Sequence, residues 1–96
     1  MDEYQKEAQT LENAATRYVH SDAQGEALSN VGDKIFDEVQ KFLQAHPQGA
    51  EPLQQSVDQL RRADPSLPVI DIHDGSLMIR PSSGDHVQPA HVYLKG

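Results

Sequence analysis

Residues 69–79 read VIDIHDGSLMI, and this stretch decides the fold. Apolar and polar side chains alternate on both sides of the Asp-Gly dipeptide at 74–75. That pattern is typical of two half-buried strands joined by a two-residue turn, with the Asp and the Gly as turn residues. The register of such a hairpin places four apolar side chains on one face. These are Ile70, Ile72, Leu77 and Ile79.

A further strand is predicted near the end of the chain, where AHVYLK spans residues 90–95. It follows a polar loop that contains two prolines and a glycine. An isolated hairpin is only marginally stable in water, so a third strand is favoured. The sequence therefore predicts a three-stranded antiparallel β-meander within residues 68–95.

Three amphipathic helices are predicted before the sheet, within residues 3–63. Their apolar residues recur at spacings of three and four. The first spans about 3–20, the second about 26–45, and the third ends near Ala63, before two prolines. One domain of 96 residues with an α+β fold follows.

The helix ends carry their own signals. Ser21 or Asp22 is expected to cap the second helix, because their side chains accept hydrogen bonds from the first free N–H groups. Gly49 is expected in a left-handed turn after that helix. Pro52 suits the first position of the third helix, since a proline needs no hydrogen-bond acceptor there.

The predicted core lies between the second helix, the third helix and the apolar face of the hairpin. Its members are Ile35, Val39, Phe42, Leu60, Ile70, Ile72, Leu77 and Ile79. This core is small, because hydrophobic residues make up 36% of the chain and aromatic residues 5%. The first helix bears a narrow stripe of Tyr4, Ala8, Leu11, Ala15 and Tyr18. A small core and an alanine-rich stripe together predict a contact with a second copy, that is, a homodimer.

Negative charge is concentrated in the first part of the chain. The formal net charge is -7, and residues 1–38 hold nine acidic and three basic residues. Such a surface repels nucleic acid and attracts a basic protein surface. The candidate partner-binding residues are Glu3, Glu7, Glu12, Asp33, Asp37 and Glu38. A second candidate surface is the outer face of the sheet, with Asp71, His73, Arg80 and Tyr93.

Several classes of protein are disfavoured by what the sequence lacks. There is no cysteine, which excludes disulfides and thiolate chemistry. No run approaches the roughly 18 apolar residues of a membrane span, and the polar N-terminus has no signal-peptide pattern. No phosphate-binding glycine loop and no serine nucleophile motif occurs. The sequence therefore predicts a soluble cytoplasmic protein with no catalytic residues, cofactor or membrane contact.

Two alternatives to a protein-binding module remain open. In the first, the chain is a winged-helix DNA-binding regulator whose third helix enters the major groove and whose hairpin is the wing. The polar residues of that helix are Gln54, Gln55, Gln59, Arg61 and Arg62. The net negative charge and the acidic hairpin tip argue against it. In the second, three histidines and one carboxylate bind a metal such as zinc. These ligands would be Asp71, His73, His86 and His91, although their spacing matches no recognised metal motif.

The leading hypothesis is a small acidic protein, without enzymatic activity, that binds a basic surface of another protein. Inhibitors, immunity proteins, antitoxin-like proteins and chaperones or adaptors all fit this description. The sequence does not distinguish among them.

Overall fold

In a computed structural model of the protein, the described residues are 2–73, 76–82 and 90–93, with side chains for the first two ranges. The chain forms α1 (Glu3–Val19), α2 (Glu26–Ala45), α3 (Ala50–Ala63), β1 (Val69–His73), β2 (Ser76–Arg80) and β3 (Ala90–Tyr93). The predicted α+β class, with three helices before an antiparallel hairpin, is confirmed.

The hairpin has the predicted register. Ile70 is opposite Ile79, and Ile72 is opposite Leu77. All four side chains are at most 6% exposed, so one face of the sheet is buried against the helices. The predicted turn at 74–75 lies outside the described residues. The backbone of β3 pairs antiparallel with β2, which gives the strand order β1-β2-β3.

α1 begins with a reciprocal cap that the sequence analysis missed. The Asp2 carboxylate accepts a hydrogen bond from the Gln5 backbone N–H at 2.8 Å, and the Gln5 side chain accepts from the Asp2 N–H at 3.1 Å. Two otherwise unsatisfied donors are thereby bonded at the first turn.

The apolar stripe of α1 forms part of the protein's own core. Ala8, Leu11 and Ala15 are fully buried and Tyr18 nearly so, because α1 packs against α3 and, over a smaller area, against α2. The inference that this stripe serves a second copy is therefore wrong for the folded chain. Its alanines allow close helix contact within one molecule instead. Homodimer formation stays a prediction without this support.

Neither Ser21 nor Asp22 caps α2, contrary to prediction. The residue before the helix is Gly25, which makes no side-chain cap and has a φ of 60°, a backbone conformation that glycine adopts readily. The Ser21 hydroxyl instead accepts from the Ala23 N–H at 3.0 Å. It therefore closes a local turn within the connection between the two helices.

α3 begins two residues earlier than predicted, at Ala50, so Pro52 is its third residue. Proline is tolerated there because the first N–H groups of a helix have no intrahelical partner. Gly49 is not left-handed, since its φ is -91°. A Cβ on Gly49 would lie 3.0 Å from the His46 carbonyl oxygen and 3.1 Å from the Tyr4 ring. The glycine is thus needed for close approach rather than for its backbone conformation.

Six of the eight predicted core residues are buried. Phe42 and Leu60 are only half-buried and pack at the margin of the core, so their assignment to the interior is wrong. The interior also includes α1, and in α3 it contains Leu53 and Val57, whose spacing of four indicates an inward face. Among the residues with described side chains, the buried apolar ones are Ala8, Leu11, Ala15, Tyr18, Val19, Ile35, Val39, Leu53, Val57, Ile70, Ile72, Leu77 and Ile79.

A side chain of α3 is bonded to the free edge of the sheet. The Gln54 amide donates to the Ile70 carbonyl oxygen at 2.9 Å, and its oxygen accepts from the Ile72 N–H at 2.7 Å. Among the described strands β1 lies at an edge of the sheet, and the outward backbone groups of an edge strand are the ones that an additional strand would bond. Gln54 therefore satisfies part of the β1 edge and ties α3 to the sheet.

Replacing Gln54 by alanine is expected to lower the free energy of unfolding by about 1–2 kcal/mol, because two partly buried backbone groups lose their partners. Urea denaturation followed by circular dichroism measures the change. Gln55→Ala is the matched control, since Gln55 is exposed one position along the same helix. Equal effects of the two substitutions would contradict the role of Gln54.

Candidate functional site

Three rings pack where α1 begins and α2 ends. The ring of His46 stacks on Phe42 with centroids 4.3 Å apart, and Tyr4 meets Phe42 edge-on at 5.5 Å. Aromatic pairs in these geometries contribute beyond the area that they bury. The cluster therefore fixes the position of the His46 ring beside the acidic residues of α1.

Both ring nitrogens of His46 contact acceptors. Nδ1 lies 3.0 Å from the Phe42 carbonyl oxygen, and Nε2 lies 3.1 Å from Glu3 Oε2. A ring nitrogen must carry a proton to donate, so each contact is a hydrogen bond only in a form of the ring that is protonated at that nitrogen. The Glu3 side chain is 63% exposed, and an ion pair so open to solvent adds little stability.

Glu7 faces α2 from the next turn of α1. Its side chain is half-buried, and Oε2 is buried with no hydrogen-bond partner among the described residues. Burial raises the pKa of Glu7 to about 7, assisted by a hydrogen bond with Glu38 and by the charge of that carboxylate, while His46 acts in the opposite direction. Two carboxyl groups bond each other only if one is protonated. The interface between α1 and α2 therefore favours the protonated form of the Glu7 carboxyl.

Glu12 is a carboxyl group inside the core. It is fully buried, and within the described part of the chain neither carboxyl oxygen has a hydrogen-bond partner. Burial raises the pKa of Glu12 to about 7, while the charge of Arg61 opposes this shift and that of Asp64 adds to it. Arg61 donates its Nε–H to the Leu67 carbonyl oxygen at 3.1 Å. Glu12 therefore keeps its proton to a higher pH than an exposed glutamate does.

The predicted acidic face needs one correction. Glu12 does not belong to any surface, because it is fully buried, and Glu7 is half-buried against α2. The remaining four residues are exposed. We use the term acidic surface for these four, Glu3, Asp33, Asp37 and Glu38.

The burial of Glu12 had a signal in the sequence. The position is four residues after Ala8 and three before Ala15, so it lies on the apolar side of α1. An acidic residue at that position indicates a buried carboxyl rather than a surface charge. An apolar stripe on α1 drawn wide enough to include the position beside Ala8 and Ala15 would have identified Glu12 as buried.

The outer face of the sheet holds the second set of candidates. Asp71 is half-buried, whereas His73 and Arg80 are exposed. The backbone register places Tyr93 opposite Ser76, next to this set. The side chains of Tyr93 and His91 and the whole of His86 lie outside the described residues. Among the described residues no group of three or more His, Asp or Glu is arranged to hold a metal ion.

The polar residues of α3 are divided between internal contacts and solvent. Gln54 is bonded to β1 and to Asp58, and Arg61 is bonded to Leu67. The other three are exposed. They are Gln55, Gln59 and Arg62.

Two shallow depressions flank α3. One, of about 200 Å³, lies between α1 and α3 and is lined by Gln5, Gln9, Ser56, Gln59 and Leu60. The other is wide open, measures about 280 Å³, and is lined by Asp58, Arg61, Arg62 and Pro65. The linings described here do not bring a nucleophile together with a hydrogen-bonded base, which nucleophilic catalysis needs.

Comparison of the chain with protein-family models, with curated proteins and with solved structures gives no match. In the part of the chain that the structure describes, no helix is both long enough and apolar enough to span a bilayer.

Replacing Glu12 by glutamine is expected to stabilise the protein above pH 7. The pKa of Glu12 is about 7 in the folded protein, against an ordinary value of 4.5. Ionisation of Glu12 therefore leaves the free energy of unfolding unchanged below about pH 4.5 and lowers it as the pH rises to about 7. The loss is at most about 3 kcal/mol, and an uncharged amide avoids it. Urea denaturation from pH 5 to pH 8 measures the effect.

Glu51→Gln is the control for this substitution, because Glu51 is exposed on α3. Glu12→Gln should flatten the decline of stability with pH, whereas Glu51→Gln should leave it as in the unmodified protein. An unchanged decline in Glu12→Gln would show that Glu12 does not ionise inside the fold.

Proposed function

We propose that this protein is a small interaction module, without enzymatic activity, that binds a basic surface of another protein through the acidic surface. The observation that carries the proposal is the exposure of three carboxylates on α2. Asp33, Asp37 and Glu38 are all exposed and make no salt bridge within the described residues, although Glu38 also adjoins the Glu7 carboxyl of α1. A cationic partner can therefore bind them without breaking an existing ion pair.

The arrangement of these carboxylates supports the proposal. Asp33 and Asp37 lie one helical turn apart, and like charges at this spacing repel by a few tenths of a kcal/mol. Lys34 and Lys41 are exposed on the same helix and reduce the local negative potential. A basic partner would relieve the repulsion, and it would be attracted at distances comparable to the screening length of the solution.

The charge available for this attraction depends on pH. Residues 1–38 carry a formal net charge of -6, but Glu7 and Glu12 both have pKa values of about 7. At neutral pH these two residues therefore contribute less than their formal charge. The attraction therefore comes mainly from the exposed carboxylates, and charge reversal should be tested on those.

A role as inhibitor, immunity protein, antitoxin-like protein or adaptor belongs to the same proposal, since all of these bind a protein without transforming it. A cytoplasmic location fits a chain that contains no cysteine. Charge complementarity steers association and disfavours wrong partners, and the exposed carboxylates of α2 would supply its negative side.

The test compares affinity capture from native lysate by three forms of the protein. The first is unmodified, the second (the α2 variant) carries Asp33→Lys, Asp37→Lys and Glu38→Lys, and the third reverses three exposed carboxylates outside the acidic surface. The control substitutions are Asp22→Lys, Glu26→Lys and Glu51→Lys. Both variants have the same net charge, so only the position of the reversed charges differs.

A partner that binds through the acidic surface is retained by the unmodified protein and by the control variant, and is lost from the α2 variant. With that partner purified, the association rate at low salt should fall more than about tenfold for the α2 variant, and the difference should shrink near 0.5 M salt. An association rate that the α2 reversal leaves unchanged would contradict the proposed surface and favour the outer face of the sheet.

A further inference from the structure

All of the unpartnered buried side-chain oxygens in the described residues belong to one helix. They are Glu7 Oε2 and both carboxyl oxygens of Glu12. Buried polar atoms are nearly always hydrogen-bonded, so three exceptions on a single 17-residue helix need a physical explanation. Glu7 lies at the interface with α2, whereas Glu12 lies within the core, where α1 packs chiefly against α3.

The groups that face these carboxyls do not neutralise them by close pairing. Glu7 meets Glu38 of α2, and His46 just beyond α2, whose imidazole already contacts Glu3 of α1. Glu12 is influenced by Arg61 of α3 and by Asp64 just after it. No salt bridge joins Glu7 or Glu12 to any of these residues within the described part of the chain.

We propose that pH controls the docking of α1. The helix is packed on α2 and α3 while Glu7 and Glu12 are protonated, and it opens away from them when these residues lose their protons. A neutral carboxyl is tolerated in a buried interface, whereas an unpaired carboxylate there is strongly destabilising. Opening the helix returns both carboxylates to water. It also uncovers the apolar stripe that Ala8, Leu11 and Ala15 form in the closed state.

The rest of the fold has contacts of its own that remain when α1 opens. Gln54 joins α3 to the edge of β1, α2 packs against β3, and the three strands are hydrogen-bonded to one another. The chain between α1 and α2 is six residues long and includes Gly25 with its positive φ. The connection therefore lets one helix move while the remaining elements stay associated.

This inference does not rest on the proposed function and is tested without a partner. Amide hydrogen exchange is measured at pH 5.5 and pH 7.5, corrected for the intrinsic rate, under conditions where it reports the opening equilibrium. For the α1 amides the opening constant should rise at least about tenfold between these pH values, because the open state binds fewer protons. At pH 7.5 the α1 amides should be at least about tenfold less protected than those of β1 and β2.

The variant that tests the carboxyl groups carries Glu7→Gln and Glu12→Gln together. The pH dependence of α1 opening should disappear in this variant and persist in Glu51→Gln, whose changed residue is exposed on α3. If buried glutamine at position 12 prevents folding, Glu12→Leu replaces it, since leucine adds no polar group to the core.

Three results would overturn the proposal. One is an α1 opening constant that does not change with pH in the unmodified protein. Another is an unchanged pH dependence in the double variant. The third is equal protection of the α1, β1 and β2 amides at pH 7.5, which would mean that α1 opens only when the whole chain unfolds.

Discussion

The packing of α1 on α2 and α3 is the contact that closes the apolar core of the fold. The chain contains few large apolar residues, and Ala8, Leu11 and Ala15 of α1 are all fully buried. The same contact encloses the Glu12 carboxyl, whose burial is unfavourable whenever it is charged. Stability gained from the apolar residues of α1 is therefore tied to the protonation of a group on the same helix.

The sequence predicted most reliably the elements that local pattern determines. Strict alternation around an Asp-Gly dipeptide was enough for the hairpin register, and broad helical periodicity was enough for the bounds of α2. Features that depend on which elements meet in space were missed. The bonds of Gln54 to β1 and the close approach at Gly49 have no local pattern, because their partners are distant in the chain. Glu12 was assigned to the surface because its charge was given more weight than its helical position.

Glu38 belongs both to the acidic surface and to the contact between α1 and α2. This residue is exposed on α2, and it also faces the carboxyl of Glu7. A positive charge placed beside Glu38 favours the ionised form of nearby carboxyls and so disfavours the proton that Glu7 holds. If both proposals are correct, binding of a basic partner at this surface and opening of α1 are coupled in the same direction. Linkage then requires that partner affinity depends on pH near neutrality.

The central claim, that burial in the core raises the pKa of the Glu12 carboxyl to about 7, is tested most directly by nuclear magnetic resonance. The chemical shift of its side-chain carboxyl carbon is followed from pH 3 to pH 9 in protein labelled with carbon-13 at glutamate, with the resonance assigned from the Glu12→Gln variant. The account predicts a titration midpoint near the value of about 7 that burial gives the Glu12 pKa. A midpoint near the ordinary value of 4.5, in protein that remains folded throughout, would contradict it.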